Sequence, residues 1–461
     1  MKRAWLGAVA LALVSGCGPS SPPSSPPSRA PEPTRTNPPP PSEPREIDLD
    51  DVSPPDAEST AAVQRMLQRV ARARGLPIKR TVPGKVLDRE AMLRRIRETV
   101  EEDTPKDALV AQGELLAALD VVPAGYDFVA GTFALLGGRV AGFYDPEDGA
   151  MYLADDLGEE EAEETLAHEL AHALADQTFP LAPMVEYAPG AGDRLSAVHA
   201  VIEGDAVSAM LDVTLGSAFQ MTEEQVRFAF VASTAMSDVG QKTPRAITSS
   251  LITPYIDGFA FIQALRRRGD WRAVDEVWRS MPETTEQLLH VDKLLAREPA
   301  EVVAPPVLGA LGRQGYRVLI DDVVGEQGLR ILLEDIGSRA QAREGAAGWG
   351  GDRFVVAARE ESGKRLFAVA FRLRMDTAAD AAEVATLFER KYGKGCRERD
   401  TLGPVAWGLR GRDIAFVAGP YERDGGRPRT RGQCADAVTW LGEVWQAAPP
   451  DGEAGSARAG R

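Results

Sequence analysis

The run Glu159–Gln177 constrains the fold of this chain more than any other stretch. It is rich in Ala, Leu and Glu and has no Gly or Pro after Gly158, so it predicts one helix. Within it stands His168-Glu169-Leu170-Ala171-His172. Positions four apart on a helix lie one above the other, so the two imidazoles share a face. That spacing suits two neutral nitrogen ligands of a single metal ion. Glu169 lies beside them, placed to take a proton from a water polarised by the ion. The chain has four histidines, and two of them are here.

A metal held by two histidines needs a third ligand. H-E-x-x-H is a metallopeptidase signature, and its longer form continues with a Gly and a third His. Ala175 and Thr178 stand at those positions, which leaves a carboxylate on a second helix. Leu195–Val213 supplies one. Leu195, Val198, Ile202, Ala206 and Met210 fall at core-facing spacing, with Glu203-Gly204-Asp205-Ala206 among them. A Gly inside a helix costs about 1 kcal/mol relative to Ala, so Gly204 implies a packing reason. The expectation is that it lets this helix approach the histidine helix until Glu203 reaches the ion. His199, one turn earlier, is a rival ligand or a hydrogen-bond partner of Glu203. Asp205 is another rival, preferred as an acceptor that orients a ligand histidine through its other ring nitrogen, and Asp176 competes for that role. Against all of this stands an ordinary amphipathic helix whose histidines bind nothing.

Together, H-E-L-x-H and the E-G-x-A of the next helix resemble the gluzincins, zinc peptidases of thermolysin-like architecture. More narrowly, His168–Gln177, Glu203–Ala206, Thr285–His290 and Gly348–Arg353 are similar to segments of a group of uncharacterised bacterial metallopeptidases. The resemblance spans roughly Gly142–His290. It implies one Zn2+ held by His168, His172 and Glu203, with Glu169 as general base. It also implies a downstream His or Tyr donating to the carbonyl oxygen that gains charge in the transition state, for which His290 and Tyr255 are the candidates. The competing reading of His290 is a helix-end residue beside a Thr284–Gln287 capping box.

The formal charge of −16 excludes nucleic acid as a partner, because nothing basic could offset the phosphates. At 461 residues the chain is long enough for two domains. Lys2 and Arg3 precede the apolar run Ala4–Val14, the pattern of a signal peptide over 1–16. Leu13-Val14-Ser15-Gly16-Cys17 is similar to a bacterial lipobox, which implies a lipidated Cys17 and a membrane-anchored, extracytoplasmic protein of the cell envelope. A soluble secreted protein is the competing reading. Residues 17–57 read as a Pro- and Ser-rich linker, too polar to bury a core. Such a compartment permits a disulfide between Cys396 and Cys434, with two free buried thiols as the alternative.

Helical spacing covers Thr60–Arg74, a helix capped by Asp88 through Val100, and Lys106–Leu119, all read as a scaffold on the catalytic core. Val140–Tyr144 and Met151–Ala154 flank Asp145-Pro146-Glu147-Asp148-Gly149 and predict a β-hairpin. The resemblance implies that an edge strand here pairs with an extended peptide; simple closure of a small sheet is the other reading. Phe179–Asp193 is a loop that could border the cleft. Ala304-Pro305-Pro306 marks a boundary. Beyond it, Phe354–Ala358, Arg365–Arg374 and Asp413–Ala418 predict strands, Thr377–Tyr392 and Gly432–Gln446 helices. Trp349-Gly350-Gly351-Asp352-Arg353 reads as a turn, since no Lys-Ser or Lys-Thr follows to make a phosphate loop.

The expected fold class is α+β: a mainly helical, zincin-like catalytic domain over 58–303 with a small hairpin or edge sheet, then a smaller α+β domain over 304–448 and a disordered tail from 449. The expected function is zinc metallopeptidase action on a peptide or protein substrate. The choice of a peptide bond over another amide rests on the resemblance. The alternative from another class is a non-catalytic, surface-anchored binding or assembly lipoprotein with a structural or degenerate metal site.

Overall fold

Helices and a small sheet carry the chain as far as the Pro pair at 305–306, and a larger sheet with helices packed on it follows. The computed structural model describes residues 57–137, 140–423 and 427–446. The expected signal peptide, Cys17, nearly all of the linker and the tail from 449 lie outside the described residues. The fold is mixed α and β.

The elements are α1 (Ala57–Arg74), β1 (Gly84–Leu87), α2 (Arg89–Asp103), α3 (Lys106–Ala118), α4 (Phe128–Gly137), β2 (Gly142–Asp145), β3 (Ala150–Ala154), α5 (Glu159–Asp176) and α6 (Gly192–Leu215). They continue with α7 (Glu223–Met236), α8 (Arg245–Arg279) and α9 (Thr285–Leu289). The second part holds β4 (Arg317–Asp322), α10 (Gly325–Glu334), β5 (Trp349–Glu361), β6 (Lys364–Met375), α11 (Ala378–Tyr392), β7 (Cys396–Arg397), β8 (Val405–Arg410), β9 (Asp413–Arg423) and α12 (Cys434–Trp445).

The predicted hairpin is the β2–β3 pair, antiparallel, with Phe143 opposite Tyr152. It belongs to a three-stranded sheet ordered β1-β3-β2, so β2 is an edge. The second sheet runs β4-β5-β6-β9-β8-β7, antiparallel throughout. Successive side chains of a strand point to opposite faces. On β5, Phe354, Val356 and Ala358 enter the core shared with the helices of the first part. Val355 and Ala357 face a second core against Trp440 and Val444 of α12. The main core therefore runs without a break across the Pro pair. Helix α3, read from sequence as part of the catalytic scaffold, packs on this sheet. Its Glu114 takes the Tyr421 hydroxyl at 2.8 Å and the Arg423 guanidinium.

Two expectations need correction. Trp349–Arg353 is not a turn; it begins the long strand β5, with a bulge between Trp349 and Gly351. The run of glycines hid the strand because Gly351 packs tightly against the backbone, where a Cβ would meet the Glu301 carbonyl oxygen at 2.3 Å. Gly204 does not face the histidine helix. A Cβ there would meet the backbone of Gly258 on α8 at 2.1 Å, and one on Gly258 would meet the Ala200 carbonyl at 1.9 Å. The two glycines bring α6 and α8 together backbone to backbone. Cys396 and Cys434 form a disulfide that ties β7 to the start of α12.

Candidate metal centre

Helix α5 begins with Glu159, Glu160 and Glu161 in its first turn, where carboxylates suit the positive end of the helix dipole. Its last three turns are buried on nearly every side, and His168, Glu169 and His172 lie there. Helix α6 passes beside it, buried from Ala197 to Met210, and ends at Gly216 in the left-handed conformation. Glu203 sits near the middle of that buried run.

His168 Nε2 lies 3.1 Å from His172 Nε2 and 3.1 Å from Glu203 Oε2, and His172 Nε2 lies 3.6 Å from the same oxygen. Tetrahedral coordination at zinc distances places ligand atoms roughly 3.3–3.5 Å apart. Among the described residues this trio is the group of His, Cys, Asp and Glu whose ligand atoms converge enough to hold an ion. All three are at most 6% exposed. Burial opposes ionisation of Glu203, but His172 and His168 outweigh it and hold the carboxyl below its ordinary range. Burial likewise disfavours the charged form of His172, and Glu203 overrides it, raising the imidazole. These opposed shifts are what a compact anion–imidazole cluster imposes on its members.

Glu169 is 1% exposed. Its Oε2 accepts the backbone N–H of Tyr144 at 2.8 Å, while its Oε1 has no hydrogen-bond partner. Burial pushes its carboxyl up. The edge strand β2 thus holds one oxygen of this side chain and leaves the other open, a role of Tyr144 with no signature in the sequence. Tyr255 lies in α8, one turn before Gly258. Its ring centroid is 6.1 Å from that of His168 and 6.5 Å from that of His199. The Gly204–Gly258 contact is therefore what brings the Tyr255 side chain to the cluster. His199 is also present, with Nε2 3.4 Å from Glu203 Oε1.

The other candidates are elsewhere. His290 caps the end of α9 and lies 3.0 Å from Glu326 Oε1. Thr285 of the same short helix binds Asp193, at the start of α6 and roughly 15 Å along its axis from Glu203. His290 is not part of the cluster, because a long-range ion pair claims it. Asp205 does not orient a histidine. It accepts Arg74 Nε at 2.7 Å and Trp278 Nε1 at 2.6 Å, which fixes α6 to α1 and to the end of α8. Asp176 accepts the Tyr144 hydroxyl, Arg80 and the Leu181 N–H. Asp257, two residues after Tyr255, pairs with Arg330 and Gln327 of α10, so the second part of the chain braces the helix that carries Tyr255.

The segments Thr285–His290 and Gly348–Arg353 are joints. Asp193 takes the Thr285 N–H and hydroxyl, and Asp352 takes the N–H groups of Val324 and Gly325 and the Trp349 indole. A family described as a domain of unknown function, DUF8575, matches residues 316–424, the sheet from β4 to β9, and so none of the cluster. No curated protein and no solved structure matches the chain.

Proposed function

We propose that this chain is a zinc-dependent peptidase that works outside the cytoplasm on a lipid anchor. The observation that carries the reading is the convergence of His168, His172 and Glu203 beside a buried Glu169 with one unpaired oxygen. The donor set, two imidazoles and one carboxylate, is that of a catalytic zinc site with a position left over. Zinc held there would supply a Lewis acid and make a water acidic near neutral pH.

Glu169 is the proton carrier. The Tyr144 N–H fixes Oε2, so Oε1 keeps one direction in which to take a proton from the attacking water and return it to the leaving amine. Burial raises its carboxyl above the ordinary range, which makes it a better proton acceptor than an exposed glutamate. Tyr255 is the donor candidate for the carbonyl oxygen. Strand β2, an edge of its sheet, holds Glu169 but is buried along its whole length, so its pairing with an extended peptide rests on the resemblance alone. The Cys396–Cys434 bridge supports an oxidising compartment.

Glu169→Gln tests the catalytic part of the reading. The variant keeps zinc, and hydrolysis of a denatured-protein substrate falls at least about a thousandfold. Equal hydrolysis by the two proteins removes Glu169 from the chemistry. A second reading, a binding protein with a structural metal site, is favoured by the burial of all four side chains. The open oxygen of Glu169 speaks for the first, because a structural site has no use for a base.

A further inference from the structure

His168, His172, Glu203, Glu169 and Tyr255 are each at most 6% exposed, so a peptide reaches them only if an element moves. Helix α7 is the element placed to do so. Its inner side chains Val226 and Phe230 stand apart from the main core and pack with Val207, Tyr255 and Ile256 in a small core of their own. Val207 lies one turn beyond Glu203 on α6, and the Phe230 ring centroid is 5.0 Å from that of Tyr255. Helix α7 therefore covers the face of α6 and α8 that leads past Tyr255 to His168. Its outward face carries Phe228 and Val231, 75% and 42% exposed, so the cover is one helix thick. A satellite core of this kind opens before the rest of a fold, because opening it uncovers little apolar surface.

The first turn of α7 is tied to the second part of the chain by charge. Glu223 Oε1 accepts Arg227 of its own helix at 2.7 Å and Arg343 Nη2 at 3.3 Å, and Arg339 Nη1 lies 3.9 Å from Glu224 Oε2. Both arginines belong to the short helix Arg339–Ala346, within the residues that match the family of unknown function. Their side chains are 57% and 46% exposed for Arg343 and Arg339. Exposed pairs of this kind are weak and are screened by salt, which suits a contact that must break and re-form. We propose that α7 is a lid over the metal cluster, held shut by Arg339 and Arg343. The lid rests on the reading of the cluster as a site that a substrate enters, and the burial of its side chains then describes the closed state. The second part of the chain, which supplies none of the cluster, controls access to it.

Thiol labelling of the full chain tests the lid without metal or substrate. Val207→Cys or Ile256→Cys, whichever keeps the parent's circular dichroism, places a thiol under α7, and Val198→Cys places one on α6 in the main core. The Cys396–Cys434 bridge leaves each the only thiol among the described residues. The thiol under α7 reacts with an aromatic disulfide reagent at least about a hundredfold faster than the one at Val198. Arg339→Gln with Arg343→Gln speeds that reaction about fivefold, and so does raising salt from about 0.02 M to about 0.5 M. Arg339→Lys with Arg343→Lys keeps the parent's rate, and none of these changes alters the rate at Val198. Equal rates at the two positions overturn the lid, and a Gln pair without effect overturns the latch. In the zinc-loaded protein the Gln pair speeds loss of zinc to a chelator by the same factor. Faster labelling with unchanged zinc loss shows that α7 is not the way in and overturns the proposal. A protein that takes up no zinc fails the metal reading instead, and the thiol rates still decide whether α7 opens.

Discussion

Replacing Gly204 by Ala sets two effects of opposite sign against each other. On helix propensity alone the substitution stabilises α6 by about 1 kcal/mol. The contact with α8 works the other way. The new Cβ would stand 2.1 Å from the Gly258 carbonyl carbon and 2.2 Å from its oxygen. Carbon atoms at rest stay about 3.5 Å apart, so the helices must part by roughly 1.4 Å. Both partners are backbone, and no side chain can turn aside. Overpacking of this kind costs about 3 kcal/mol, which leaves a net loss of about 2 kcal/mol. Glu203 is the neighbouring residue, and metal–ligand distances tolerate only about 0.2 Å. Zinc affinity therefore falls about tenfold or more, as it does when groups that support metal ligands are removed. Urea unfolding followed by circular dichroism, with and without chelator, measures the first effect, and competition with a zinc-sensitive dye the second. A variant more stable than the parent, with unchanged zinc affinity, would refute the close crossing of α6 and α8.

Two further perturbations probe the frame around the cluster. Replacing Cys396 and Cys434 together by Ser opens a loop with a sequence separation of 38, and on chain entropy costs about 4 kcal/mol. Unchanged thermal stability of the double variant under oxidising conditions would contradict the bridge. Burial raises the Asp193 carboxyl to about 7, although Thr285 hydrogen bonds oppose it. The folded state then holds a proton that the unfolded chain releases near pH 4. The stability this confers is present below the unfolded pKa and is lost as pH rises toward 7. Asp193→Asn removes the ionisation, so its unfolding midpoint between pH 4.5 and 7.5 varies less than the parent's. An unchanged slope would show that Asp193 does not contribute.

The parts of this molecule that can be read from its residues are those fixed by neighbours in sequence. The i,i+4 spacing put His168 and His172 on one face, and Asp145–Gly149 announced the turn between β2 and β3. Runs of apolar residues mark the middle of β6 and much of β9, because both strands are covered on two faces by apolar layers. What the residues did not disclose depends on partners far along the chain. Gly204 requires a close neighbour, but only the fold shows that it is Gly258 rather than α5. His290 has the chemistry of a donor, and Glu326, 36 residues on, takes it away. Asp205 is claimed by Arg74, 131 residues earlier. The short strand β1 pairs in parallel with β3 across three intervening helices and strand β2, and no local pattern announces it. The Tyr144 N–H that holds Glu169 is a backbone group, silent in any sequence.

The central claim is that His168, His172 and Glu203 hold one zinc ion, and zinc content measured by mass spectrometry tests it most directly. The purified protein and its Glu203→Ala variant would be dialysed against the same limited zinc buffer, with folding checked by circular dichroism. The account predicts one equivalent in the parent and well under half of that in the variant. A folded parent without zinc would contradict the metal centre itself. Full zinc in both proteins would keep an ion at the histidines, remove Glu203 from its ligands and leave His199 as the nearest replacement.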